Sequence, residues 1–419
     1  MKTIVKVLLI ALIVPVLSQC KKEIDTSVTI PDDNFLDALI EQGVDKNSDG
    51  IINTSEAAEI NYLDVSFCNI TDLKGIEAFI NLDTLYCYEN KLTSLDVYNN
   101  PALRMLICNE NSLTSLNVSN NPELVWLECY WNPLTILDVT KNPALNVLRC
   151  EGNLLTSLDL SNNPVLDVLY CTGNLLTSLN VSNNPELTWL SCWNNSLTNL
   201  DVSNCPALKT LHCADNLLSQ LNVTNNPVLN DLSCGGNSLN SLDVSNNPDL
   251  SILVCDMNSL ISIDVSGNPE LFWLECSWNH LNGLNVSNNT KLSQLYCFGN
   301  LLTSLNVTNN PELFILDCSE NLLTSLDFSN NHKLYWLDCS ENLLTGLELS
   351  NNPVLDCLYC DENLLTTLNL SNNTAVKYLN LVSIPSLSKV CVWTMPFPPA
   401  GVTVDTTGSP NVCFTMTCN

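Results

Sequence analysis

Apolar residues return along this chain with a spacing that no single helix or strand produces. Leu82, Leu85, Cys87 and Leu92 each open a column that repeats every 21 residues through 14 units without an insertion. Asn90 opens a polar column that is Asn in all 14. The unit reads L-x-x-L-x-C-x-x-N-x-L-T-S-L-D-V-S-N-N-P-x, and it holds a shorter symmetry. Leu82, Leu85, Cys87 and Asn90 are echoed by Leu92, Leu95, Val97 and Asn100, in half-repeats of 10 and 11 residues. Both halves alternate as L-x-C or L-x-V, the period of a strand with one buried face. A fixed period of this length marks a solenoid, in which each coil covers its apolar face only by stacking on its neighbours. The pattern predicts parallel strands on both sides, almost no helix within the repeats, and caps at both ends. At ~4.8 Å per coil, about fifteen coils give a rod on the order of 70 Å long.

The turn residues agree. The column of Asn100 is Asn 13 times and Cys205 once, as expected for a small side chain that bonds backbone inside a bend. Cys68 holds the matching ladder position in an earlier, irregular unit with Leu63, Val65 and Ile70. L-x-x-L-x-C-x-x-N-x-L resembles the leucine-rich repeat consensus, and the nested 21-residue form resembles a short, Cys-containing bacterial class. The resemblance covers residues 60–375. It implies a mainly β, right-handed leucine-rich repeat solenoid with parallel sheet on both sides, a small helical N-cap and an irregular β C-cap. Families of this kind resemble adhesins and receptors that hold proteins or glycans on the variable strand face.

The ends depart from the period. Residues 1–19 carry Lys2 and Lys6 before a short apolar run, the pattern of a signal peptide and too short for a membrane span. Leu17-Ser18-Gln19-Cys20 resembles a lipoprotein box, with Gln19 where a small residue is usual, and this implies lipidation of Cys20 and a linker over 20–30. The implied location is an outer membrane or cell surface, with simple secretion as the alternative. Residues 31–59 read as a helical cap around Asp45-Lys46-Asn47-Ser48-Asp49-Gly50-Ile51-Ile52-Asn53-Thr54-Ser55-Glu56. This segment resembles an EF-hand loop: Asp45, Asn47, Asp49, Ile51 (through its carbonyl), Asn53 and Glu56 fall at the ligand positions of one structural Ca²⁺ site, with Gly50 at the sharp turn. Residues 376–419 read as short strands and turns of a C-terminal cap, where one disulfide is expected among Cys391, Cys413 and Cys418.

Composition narrows the function. With 44 acidic against 15 basic residues the net charge is -29, which excludes ordinary binding to nucleic acid or anionic lipid. Of the 21 cysteines, 14 form one inward column that acts as small hydrophobes rather than a disulfide framework. Neighbours ~4.8 Å apart exceed the Cβ separation of about 3.8 Å that disulfides prefer. No enzyme is expected. His212, His280 and His332 lie about three coils apart, phosphate loops are absent, and the adjacent acids Asp317 and Asp338 read as a surface column before they read as a glycosidase pair.

One face varies. The second half-repeat presents a uniform outward column, from Asp96, of 8 acids and 6 Asn, expected to be a solvated ladder. The first half-repeat carries Trp126, Trp189, Trp273 and Trp336 in one outward column. The next outward column includes Tyr86, Tyr170, Tyr296, Tyr359, Asp317 and Asp338, and the turn after it holds Trp131, Trp193 and Trp278. Seven of the 8 tryptophans lie here. Exposed aromatics beside acids mark a binding face for a protein, or for glycan rings stacked on Trp. The acids favour a basic partner. The chain is expected to be a monomer that touches membrane only through its anchor; a structural rod without a ligand is the remaining alternative.

Overall fold

The computed structural model describes residues 26–417. Cys20 and the leader lie outside that range. From Tyr62–Asp64 to Thr403–Asp405, 17 three-residue strands form one parallel sheet in which each strand pairs with the next coil's. The molecule is a mainly β solenoid of about 17 turns, two more than the period alone suggested, because parallel pairing continues beyond each end of the regular repeat. Residues 376–417 are not wholly irregular: Tyr378–Asn380 and Thr403–Asp405 extend the long sheet, and Thr367–Asn369, Lys389–Cys391 and Cys413–Thr415 form a second one. Cys391 is disulfide-bonded, whereas Cys413 carries a free, exposed thiol.

Elsewhere the second side of the coil is paired only in fragments, such as Leu116–Asn117 with Leu137–Asp138, or single bridges such as Asp243 with Asp264. The outward column of this side shapes the turn. The side-chain oxygen of Asp138 accepts the N–H of Thr140 at 2.9 Å, and Asp159, Asn180, Asp201 and Asp243 take the N–H two residues on in the same way. Each such bond closes a tight turn directly after the residue. The column is therefore part of the turn as well as a solvated surface.

Inside, Leu82, Leu85, Cys87, Leu92 and Val97 and their repeats are fully buried. All 14 periodic cysteines are buried free thiols, and burial pushes each thiol up from its ordinary value. Two asparagine ladders close the bends differently. Asn237 donates to the carbonyls of Cys213 and Cys234, both at 3.1 Å, and its Oδ1 accepts the Leu218 N–H at 2.9 Å. Asn247 donates to Val223 and Asn226 carbonyls at 3.0 and 2.8 Å, but its Oδ1 is buried without a partner, as in all 13 asparagines of that column. Only donation is needed there, so Cys205 fills the place, with its Sγ 3.6 Å from the Val181 carbonyl.

At the N-terminal end, α1 (Asp33–Glu41) buries Phe35, Ala38 and Leu39 against the first coil. Its cap, Asp32, accepts from the Phe35 N–H at 3.1 Å and from the Thr71 hydroxyl at 2.7 Å, which ties the helix to the solenoid. A second short helix, α2 (Thr54–Ala58), starts with a capping box made by Asn53 and Glu56. No helix among the described residues is long and apolar enough to cross a membrane.

The two ladders respond differently to mutation. Asn237→Ala orphans the Leu218 N–H and is expected to cost about 2–3 kcal/mol. Asn247→Ala leaves carbonyls that keep the backbone donors Asn226 and Leu229, and is expected to cost about 1 kcal/mol. Urea unfolding midpoints of the two variants would show this; equal losses would refute it.

Candidate binding face

The long sheet exposes two side-chain columns per strand, and the sequence-singled residues stand there. Trp126, Trp189, Trp273 and Trp336 are half-buried, because each lies against a ring or polar group beside it. The Trp126 indole N–H donates to Glu128 at 2.8 Å. Trp189 stands between Tyr170 and His212, both with ring centroids 5.7 Å away. Trp273 packs on Tyr296 at 6.4 Å and Trp336 on Tyr359 at 5.8 Å. Tyr86 packs between Tyr62 and Tyr88. These rings cover one another along the sheet, so much of this column is self-packed.

The turn after the strand is more exposed, although Trp278 packs edge-on against Phe298 at 5.7 Å. Trp131, Trp193 and Trp278 are 67%, 44% and 48% exposed. Position 89 and its repeats have positive φ in all 14 coils, and two of them carry tryptophan: Trp131 at φ 53° and Trp278 at φ 49°. A bulky side chain in the left-handed region is strained, and Gly fills the same place at 152, 173, 236 and 299. Both tryptophans lean over a glycine one coil on. A Cβ on Gly152 would meet Trp131 at 3.3 Å, and one on Gly299 would meet Trp278 at 2.7 Å. The glycine makes room for the ring.

No protein-family model matches the sequence, and no curated protein matches it either. Solved structures do. The functional domain of InlJ from Listeria monocytogenes, which includes a cysteine ladder, is 33% identical with a TM-score of 0.80, over 85% of this chain and 81% of that one. The chain belongs to the leucine-rich repeat proteins with a cysteine ladder. A Leptospira interrogans leucine-rich repeat protein (24% identity, TM-score 0.72, covering 84% of this chain and 97% of that one) shares the fold. YopM from Yersinia enterocolitica (22%, TM-score 0.62, 85% and 92%) shares it as well.

On this leucine-rich repeat protein the acids of the face are crowded. Burial, then Asp256 and Asp317, pushes the Glu275 carboxyl up to about 7. Burial raises Asp317 to about 6 against the Ser319 hydrogen bond, with Asp338 adding to the rise. Asp338 is raised by burial, although the Ser340 hydroxyl donates to it at 2.6 Å. On the other side of the coil the sign reverses: hydrogen bonds from Thr140, Ser161, Ser203 and Ser245 hold Asp138, Asp159, Asp201 and Asp243, respectively, below the usual carboxylate range.

Three aromatics escaped the sequence reading. Phe272, Phe314 and Tyr335 precede the strand, are exposed, and widen the face; the Phe314 and Tyr335 rings stack 4.9 Å apart at 6°. Their signal was a third variable column, from Asp83, beside the two singled out. A trough of about 1070 Å³ lies elsewhere, along the turns of Pro122, Pro143, Pro164, Pro185 and Pro206, and follows from the repeated turn itself.

In the EF-hand-like loop, Asp45 accepts from the N–H groups of Asp49 and Gly50, and Asn47 from Asp49. Glu56 reaches back to the N–H of Lys46 at 3.0 Å and of Asn53 at 2.9 Å. The donors fit a hard, oxygen-seeking cation in type and order. Among the described residues, however, no three acidic, His or Cys side chains converge at metal-binding separation.

Stability should show both acid populations. The raised carboxyls of Glu275, Asp317 and Asp338 destabilise the fold when ionised, so stability rises as pH falls from about 8 to about 5. The lowered carboxyls lose their contribution on protonation, so stability falls again below about pH 4. A melting temperature that falls monotonically from pH 8 to 5 would refute the first half.

Proposed function

We propose that this protein is a non-enzymatic, exported binding protein whose long sheet holds a protein partner. One observation carries the reading: Trp131 and Trp278 are held exposed at a left-handed turn position that is glycine in four coils and Glu, Asn, Asp or Met in eight. Other coils fill the position without a ring, and large exposed aromatics at such a place support use as binding anchors. The adjoining Trp193, Phe314 and Tyr335 enlarge the same surface. Glycan capture by these rings is the second reading, supported by the exposure of Phe314 and Tyr335, which stack on each other. Export and anchoring through Cys20 rest on the leader sequence; retention of a Cys20→Ala variant in the membrane fraction would count against the anchor.

The test is a protein and glycan array probed with wild type and with Trp131→Gly/Trp278→Gly. Glycine suits the left-handed position, so stability is expected to stay within about 1 kcal/mol. Binding to the protein ligand is expected to fall at least about tenfold. A glycan-only signal would favour the second reading, and no ligand would leave a structural rod.

We also propose that the loop from Asp45 to Glu56 binds one Ca²⁺ that stiffens the N-terminal cap. Its support is the order of oxygen donors and the turn at Gly50, φ 79°. Calcium is expected to raise the melting temperature relative to chelator, and Glu56→Gln to remove the difference. An identical melt with and without chelator overturns the site.

A further inference from the structure

Arg149 shows how this face accommodates a cation. Its guanidinium lies 4.7 Å from the Tyr130 ring centroid and 5.0 Å from that of Tyr170. It bonds Glu151 at 2.5 Å, with Glu128 at 3.9 Å. One planar cation thus lies over two tyrosine rings and within ion-pair reach of two carboxylates.

The C-terminal half of the face carries tyrosines and carboxylates in another order, and no cation among them; Tyr296 packs on Trp273 and Tyr359 on Trp336. In the same outward column the order is Glu275, Tyr296, Asp317, Asp338, Tyr359, and each residue is in register with its neighbour on the adjacent strand. Two adjacent carboxylates are therefore flanked on both sides by tyrosine rings. From Ile252 to Ser383, no Lys or Arg occupies either outward column or the turn that follows. The lysines of this half are ion-paired: Lys291 with Glu270 and Lys333 with Glu312 off the face, and Lys377 with Asp356 in the column that precedes the strand.

We propose that this half of the face docks an extended, arginine-bearing segment of a partner protein, with one guanidinium over Asp317 and Asp338 between Tyr296 and Tyr359. This rests on the protein-binding reading above and names the chemistry of its partner. Charge complementarity selects the occupant. The crowded carboxylates are half-buried and mutually repelling, a state that a partner's cation relieves. Arginine fits better than lysine because its planar fork bonds two carboxylates and stacks on rings, as Arg149 does within the chain. The acids are strung over several coils, with Asp317 and Asp338 about 5 Å apart and Glu275 about 10 Å before Asp317. Such a string suits a chain presenting several cations rather than one small ion, and alternate residues of an extended segment lie about 6.6 Å apart.

The probe is a fluorescein-labelled peptide of four Gly-Arg repeats, followed by anisotropy, with Gly-Lys and Gly-Gln peptides as comparisons. Wild type is expected to bind the Arg peptide, the Lys peptide several-fold more weakly, and the Gln peptide not at all. Asp317→Asn/Asp338→Asn is expected to weaken the Arg peptide at least about tenfold. Glu123→Gln/Glu186→Gln removes the same charge from exposed positions off the face and is expected to change it less than about twofold. Tyr296→Leu/Tyr359→Leu is expected to abolish the preference for Arg over Lys. Equal weakening by the two acid pairs would mean attraction to net charge alone and would overturn the proposal, as would absence of binding by correctly folded wild type. If the array yields a protein ligand that depends on Trp131 and Trp278 but not on Asp317 and Asp338, the binding reading stands and this proposal fails.

Discussion

Every coil turns twice within 21 residues, and each bend buries backbone groups that neither strand can pair. The buried asparagines resolve this. The column of Asn237 both donates to carbonyls and accepts an N–H, so it stitches its own coil to the one before. The column of Asn247 only donates. With the bends satisfied from inside, Leu and Cys side chains of successive coils stack in register, and the rod forms by repetition of one local solution. The cysteines fit because a thiol is small, apolar and slightly polar at once: Cys150 and Cys318 place Sγ 3.4 and 3.5 Å from a carbonyl of the next coil.

The two outer surfaces separate by the same logic. On one, the side-chain oxygen of the outward Asp or Asn is committed to the turn, so the position accepts few residue types and stays uniform. On the other, the same turn bond forms where Asp stands, as at Asp64, Asp317 and Asp338, but most coils do without it, and the outward side chains differ. Variation collects where the backbone asks little of the side chain. The residue after that strand is left-handed in every coil; most coils place a polar or flexible side chain or glycine there, and tryptophan stands there at 131 and 278.

The acids divide along the same line. Asp138 and Asp159 are stabilised as anions by hydrogen bonds from the turn. Glu275 and Asp317 share a half-buried strip with other acids and with no cation, and are held above their ordinary range. Arg149 is the one Lys or Arg in that outward column, and there Tyr130 and Tyr170 lie against it.

The solenoid, its two ladders, the inward cysteines and the identity of the variable face were legible in the sequence, because each depends on a local period that a stacked coil must repeat. The sequence alone also assigned the tryptophans to one side. It did not show that Trp189, Trp273 and Trp336 are partly covered by neighbouring rings, that Trp131 and Trp278 are held out by a left-handed backbone, or that Phe314 and Tyr335 stack at the edge. Nor did it show that the uniform Asp column serves the turn, or that pairing runs on past residue 376. Those outcomes depend on which side chains meet one coil apart and on the backbone angle at each bend, and only stacking the coils in register brings these together.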